Sequence, residues 1–332
     1  MMDITAYQTP FKYSHSVLKP SRVLGAFDQV AVDVPFVFSH NGKVHMMYVG
    51  FDGIGYQTAL AQADNPLGPF QTLGVILSRG QGNGWDSRNA AGVWIISDQD
   101  LFGTRKLKKI DGKYWMYYHS YPEDGYEAGP AAIGMAWCEE EDLMTWHRMP
   151  EPILTIENGA SWEAGGLYKN CLVEKDGKYY LFYNAKNSPG DGSFWKEQIG
   201  VAVGDSPFQF VRWKGNPLLT IEPKKWDSCF CSDPWVVWDK NQWVMFYYGF
   251  DGQHAMDGIA VSQDLLHWEK APDPILRCGA PGELDDLHAH KPALYWENGV
   301  LYHYYCCCKK EPESPPYFEK RAIAVACSEK VW

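Results

Sequence analysis

One phrase recurs five times along this chain: an apolar run, a tight turn, an aromatic run and an Ala- or Gly-rich segment. The turns are Asn41-Gly42, Asp111-Gly112, Asp176-Gly177, Asn241-Gln242 and Asn298-Gly299, and their second members lie 70, 65, 65 and 57 residues apart. Asn-Gly and Asp-Gly favour the positive φ angles of short hairpin loops. Aromatic runs such as Trp115 to Tyr118, Tyr179 to Tyr183 and Val244 to Tyr248 suit pleated strands packed on both faces. Third strands follow, among them Ile133-Gly134-Met135-Ala136 and Ile199-Gly200-Val201-Ala202. Repeats of this length built from short hairpin-linked strands predict an all-β, five-bladed β-propeller. Residues 1–332 read as one domain, with blades expected at about 27–77, 85–154, 161–219, 226–276 and 284–332.

The ring must also close. Units one to four each continue into a fourth strand, at Phe70–Leu77, Trp146–Leu154, Phe210–Leu219 and Trp268–Leu276, whereas unit five stops at Trp332 after its third. An unpaired edge invites association with other chains. The spare segment 8–20, which contains Phe11-Lys12-Tyr13 and Val17-Leu18, is therefore expected to pair with the last unit and latch the ring.

Charge and cysteine usage narrow the setting. A formal charge of −11 with no basic stripe argues against nucleic-acid or anionic-membrane partners. The cluster Arg105-Lys106-Leu107-Lys108-Lys109 beside a hairpin turn reads as a solvated edge. No apolar stretch has membrane-spanning length, and the first residues lack the charged start and apolar core of an export signal. The nine cysteines include Cys306-Cys307-Cys308 within one strand, which reads as reduced packing residues rather than a disulfide frame. Cys229 and Cys231 have no second pair at zinc-like spacing, so no metal site is assigned. Together these features point to a cytoplasmic protein.

In a propeller the first strand of each blade lines the central funnel. Counting nine residues back from each turn's second member places Asp33, Gly103, Tyr168, Asp233 and His290 in one register. Asp33, Asp233 and His290 lie close to prolines, in Asp33-Val34-Pro35, Asp233-Pro234 and His290-Lys291-Pro292, and a strand start needs no ladder donor there. An earlier layer reads Phe27-Asp28, Trp85-Asp86, Trp162-Glu163, Trp226-Asp227 and Leu284-Asp285. Asp28, Asp86, Asp227 and Asp285 read as carboxylates bracing the lead-in loops. Glu163 differs in type, and its unit has no funnel carboxylate, so it stays a functional candidate.

The run Trp226-Asp227-Ser228, then Ser232-Asp233-Pro234-Trp235-Val236-Val237 and Met245 to Gly249, resembles the blade motif of five-bladed propeller glycosidases. These are the family 43 arabinanases and xylosidases and their relatives in families 32, 68, 117 and 130; the stretch Asp28 to Gly50 repeats the pattern. The resemblance implies a glycoside hydrolase acting on an oligosaccharide, with an inverting course and with furanoside or exo action left open. It implies Asp33 as general base. Asp233 stands where family 43 has a Glu and is assigned as the general acid, and Glu163 is kept as pKa modulator or alternative acid. Such chemistry needs one carboxyl protonated near neutrality and another ionised. Expected substrate contacts are Trp85, Arg88, Trp162, Lys169, Asn170, Trp235, His288, His290 and Lys291. No cofactor is required, although the resemblance allows a structural calcium ion in the channel. Two other readings remain: a family 130-like phosphorylase holding phosphate with Arg105, Lys169, His288 and Lys291, and a non-catalytic sugar-binding propeller. The oligomeric state is not legible in the sequence.

Overall fold

A computed structural model of the protein describes residues 3–311 and 319–332. The chain forms five successive antiparallel units. The first comprises Ala31–His40, Lys43–Phe51, Tyr56–Ala63 and Gln71–Leu77. The second uses Ala91–Ile95, Lys113–Ser120, Ala132–Cys138 and His147–Arg148. Gly166–Lys175, Lys178–Lys186, Glu197–Ser206 and Gln209–Arg212 make the third. The fourth is Phe230–Trp238, Trp243–Phe250, Ala255–Ser262 and Glu269–Lys270. The fifth has His288–Glu297, Val300–Lys310 and Glu319–Cys327.

The expected latch closes the fifth unit. Phe11–Lys12 pairs antiparallel with Glu319–Cys327, Phe11 facing Cys327 and Lys12 facing Ala326. Further along, Val17 donates to Ile323 O at 2.8 Å, and Ile323 returns a bond to Leu18 O at 2.9 Å. The same segment reaches unit one, where Phe70 N donates to Val17 O at 3.0 Å. One stretch of chain therefore ties the last unit to the first.

The lead-in acids form a repeated brace. Asp86 accepts from Tyr118 of its second strand and from Arg148 of its fourth, at 3.0 and 2.7 Å. Glu163 does the same with Tyr183 (2.5 Å) and Arg212 (3.1 Å), Asp227 with Tyr247 (3.5 Å) and Lys270 (2.6 Å), and Asp285 with Tyr305 (3.0 Å) and Lys12 (2.5 Å). The tryptophans preceding Asp86, Glu163 and Asp227 wedge over glycines of the third strands. A Cβ on Gly134 would lie 2.4 Å from the Trp85 ring, and one on Gly200 would lie 2.7 Å from Trp162, so glycine is needed at both close approaches.

The sequence register fails in unit two. Its inner strand is Ala91–Ile95, and Gly103 sits in the long excursion between that strand and the turn at Asp111-Gly112. Arg105, expected at a solvated edge, is 1% exposed in that excursion, its guanidinium lying 4.8 Å from the Trp235 ring centre and 5.5 Å from that of Trp94.

Two stability outcomes follow. Deleting residues 1–22 should lower the thermal midpoint by about 8 °C or more, read by circular dichroism, since several backbone bonds and the Lys12–Asp285 pair go together. Lys270→Met should cost about 3 kcal/mol in urea unfolding, because it strands the buried Asp227 carboxylate without its cation.

Candidate active site

Every inner strand carries a one-residue bulge at the same height. The register shifts between Asp33 and Phe36, Gly92 and Trp94, Tyr168 and Asn170, Ser232 and Trp235, and His290 and Ala293. In four of the five the extra residue has positive φ: Val34 at 49°, Lys169 at 46°, Asp233 at 53° and Lys291 at 67°. Bulges re-aim side chains, and here Val34, Val93, Lys169, Asp233 and Lys291 ring one small axial cavity. Non-glycine residues held at positive φ cost about 1–3 kcal/mol each and concentrate at functional sites.

The bulges correct the sequence alignment. Asp33 faces Val49, and its counterpart in unit four is Ser232, which faces Tyr248; Asp233 matches Val34 instead. The one-residue slip has a simple origin. The hairpin of unit four has four loop residues between Trp238 and Trp243 against two between His40 and Lys43 in unit one, while its inner strand runs one residue fewer from Ser232 to Trp238 than from Asp33 to His40, which leaves a net shift of one.

Above the axial ring an ion cluster crosses the seam between units five and one. Asp33 Oδ2 accepts from Lys291 Nζ at 2.7 Å and from Arg321 at 2.5 Å. Arg321 also donates to Tyr126 Oη at 2.6 Å and pairs with Glu319 at 2.6 Å, while Lys291 Nζ lies 3.9 Å from Glu127. Burial alone would raise the Asp33 pKa, but Lys291, Arg321 and Lys169 together hold it well below the usual carboxylate range. Asp233 goes the other way: burial raises it, Lys169 and Lys291 oppose, and the Asp33 charge adds to the rise. Lys169 is lowered, first by burial and then by repulsion from Lys291. Its Nζ and both amide atoms of Asn170 make no hydrogen bond within the described protein.

Beside this cluster opens a pocket with about 490 Å³ of empty space, walled by Trp195, Phe230, Tyr248, Phe250, His288 and His290. Two carboxylic acids line it, Glu127 and Glu197. Glu197 is 1% exposed, and its carboxylate accepts from Trp195 Nε1 at 3.0 Å and from Tyr248 Oη and Asn184 Nδ2 at 3.4 Å. Burial, then repulsion from Glu127, pushes its pKa up to about 7.

The structure thus brings together Asp33, Lys169, Asn170, Asp233, His290 and Lys291, with His288 on the wall of the open pocket. Glu163 is held apart in its brace with Tyr183 and Arg212 and lines neither cavity. Trp85 and Trp162 are wedges over glycine, Trp235 packs at the axis against Trp94 at 4.9 Å, and Arg88 sits at the surface 3.4 Å from Asp124. Arg105 lies beneath Trp235 and bonds backbone carbonyls of Leu294 and Asp98, away from the open pocket.

Glu127, Glu197 and Arg321 were not singled out in the sequence. Glu197, at the start of the third strand of unit three, and Arg321, the third residue of that strand in unit five, hold equivalent places opposite Lys186 and Cys308; Tyr56 and Ala255 hold that place in units one and four. A comparison of third-strand starts would have flagged these two charges. Glu127 lies in a loop, outside any repeat.

The axial ring does not suit calcium, which takes six to eight oxygen ligands. It offers the carboxylate of Asp233 and the amide of Asn170 alongside two ammonium groups. Among the described residues, one group has metal-type donors within 4.8 Å of one another: His290, Cys306 and Cys308. Nitrogen and sulfur donors are softer than calcium prefers.

Five sheet units around an acid-bearing funnel define a propeller of the glycoside hydrolase type. The model of the glycosyl hydrolases family 32 N-terminal domain matches residues 104–280, over half of the chain, and the protein belongs to that family. The solved structure of a BT0996 complex with RGII superposes with a TM-score of 0.84 at 28% identity, covering 99% of this chain and 94% of that one. Among curated proteins, the uncharacterized protein Rv1502 of Mycobacterium tuberculosis is 28% identical over 127 residues, 36% of this chain and 42% of that protein. A β-xylosidase of Xylanibacter ruminicola is 34% identical over 88 residues, 26% of this chain and 24% of the enzyme. The chain therefore spans less than half the length of these curated relatives.

Asp33→Asn should leave Lys291 and Arg321 without their shared anion. Turnover of any hydrolysed glycoside should fall about 100-fold or more, because the cations that order the pocket wall lose their anchor. Full activity in this variant would contradict the assignment.

Proposed function

We propose that the protein hydrolyses a glycosidic bond in an oligosaccharide, with Glu197 donating the proton and Glu127 as the companion carboxylate. The observation that carries this reading is the buried Glu197 carboxyl, raised to about 7 and set on the wall of the open pocket. A protonated acid at neutral pH can protonate the leaving oxygen, while an ionised partner activates water or attacks the anomeric carbon. Asp33, bound on one oxygen by two cations, serves as their anchor, and Asp233 belongs to the axial ring below. This moves the reacting pair from Asp33 and Asp233 to Glu197 and Glu127.

Hydrolysis is favoured over phosphorolysis by the commitments of the cations. Lys291 and Arg321 already share Asp33, Arg105 is spent on backbone carbonyls under the axis, and Lys169 lines the axial ring, so of the expected phosphate clamp His288 and the committed Lys291 alone line the open pocket. The inverting course stays part of the proposal; proton NMR of the first-formed anomer decides it. The screening panel should include furanosyl and pyranosyl aryl-glycosides and RGII oligosaccharides, because of the 28% identity to the structure solved with RGII.

On a hydrolysed substrate, Glu197→Gln and Glu127→Gln should each lower kcat/KM by about 10²–10⁴-fold. The acid works only while protonated, so wild-type activity should fall as pH rises through about 7, and that limb should vanish in Glu197→Gln. A Glu197→Gln enzyme with wild-type rate and an unchanged basic limb would sink the reading.

A further inference from the structure

Trp195 stands between two cavities. On one side is the pocket holding Glu197 and Glu127; on the other is a second open pocket with about 660 Å³ of empty space, bounded by Pro130, Gly165, Lys186, Asn187 and Pro189. Among the described residues, Trp195 alone belongs to both linings. Its indole N–H donates to Glu197 at 3.0 Å, which fixes the ring edge-on to the proposed proton donor. Phe194 stacks on it at 4.5 Å, 53% exposed, extending the aromatic surface towards solvent.

We propose that this second pocket receives the leaving-group side of the substrate, and that it takes a sugar bearing a carboxylate. The placement rests on the reading of Glu197 as the acid. A proton donor must face the departing oxygen, and the donor is tied through Trp195 to the boundary that the second pocket adjoins. The ring at that boundary is the kind of surface on which a sugar face packs.

The charge preference rests on Lys186. It is half-buried, it is the one charged side chain in the pocket lining, and none of the described carboxylates pairs with it. Its Nζ donates to the backbone carbonyl of Glu127 at 2.8 Å and lies 5.4, 5.8 and 5.6 Å from the ring centres of Tyr121, Tyr168 and Trp195. An ammonium has three donors, and a single carbonyl uses one. Rings hold the cation in place without neutralising it. A uronate carboxylate would complete its bonding, and charge-assisted bonds of this type are the strong ones.

Digalacturonate and its dimethyl ester are the probes, titrated calorimetrically into the full chain at low ionic strength. Wild type should bind the acid about tenfold more tightly than the ester, the worth of one charge-assisted hydrogen bond. Lys186→Gln should equalise the two ligands, Lys186→Arg should keep most of the preference, and Trp195→Ala should weaken both. Equal affinity in wild type, binding of neither probe, or a preference that survives Lys186→Gln overturns the proposal. If Lys186→Gln does not fold, wild type alone decides: the preference should shrink as salt rises, and a salt-independent preference overturns it. No turnover is read, so an inactive protein that prefers the acid would refute the hydrolase reading alone. An active enzyme without the preference would refute the subsite alone.

Discussion

The Asp33 carboxylate, held between Lys291 and Arg321, is the interaction on which the funnel depends. Taking a carboxylate out of water costs several kcal/mol, and only close, well-bonded cations offset it. Both cations come from unit five, while Asp33 comes from unit one. The seams between units three and four and between four and five carry parallel ladder pairs, Glu197 with Phe230 and Ala255 with His288. Unit one forms a separate sheet. Its joint with unit five is made by this ion cluster on the funnel side and by the N-terminal strand on the outside. Closure of the ring and organisation of the pocket are therefore one electrostatic event.

The same residue types do different work a few residues away. In the lead-in loops, Asp86, Glu163, Asp227 and Asp285 each take a tyrosine from the second strand and a cation from an outer strand. Repetition of one brace in four units marks it as architecture. Around the funnel the equivalent position differs in chemistry from unit to unit: it is apolar at Val34 and Val93, cationic at Lys169 and Lys291, and acidic at Asp233. Divergence at a structurally equivalent place is where selection for a particular ligand has room to act, because packing demands there are already met by the strands beneath.

This division explains what could be read from the chain. Hairpin turns and alternating aromatic runs are local, so the fivefold repeat, the all-β fold and the need for a latch were visible in order along the sequence. The site was only partly visible. Counting back from the turns assumed strands and hairpins of equal length; the longer loop and shorter inner strand of unit four together put Asp233 one residue out, and the excursion before Asp111 hid Ala91–Ile95 altogether. Bulges add a residue without a compositional mark beyond the prolines after Val34, Asp233 and Lys291. Glu127 lies in a loop whose path depends on tertiary contacts, including the bond from Lys186, and periodicity says nothing about it. Glu163 misled for the opposite reason: its change from Asp to Glu looked like a new role, yet the longer side chain makes the same brace.

What remains is how buried carboxyls a few residues apart in space come to differ so much. The cations collect on one wall: Lys291 and Arg321 converge on Asp33 and hold it ionised, with Lys291 3.9 Å from Glu127 as well. Glu197 sits on the other wall among neutral donors, Trp195, Tyr248 and Asn184, and feels the negative charge of Glu127. Neutral donors stabilise a buried carboxylate less than an ammonium or guanidinium would, so burial and repulsion prevail at Glu197 and push its pKa up to about 7. The asymmetry arises from strand position: Arg321 and Glu197 occupy equivalent third-strand places in units five and three, opposite Cys308 and Lys186. One repeat thus supplies the charge that keeps a carboxylate ionised, and its equivalent supplies a carboxyl whose pKa burial raises.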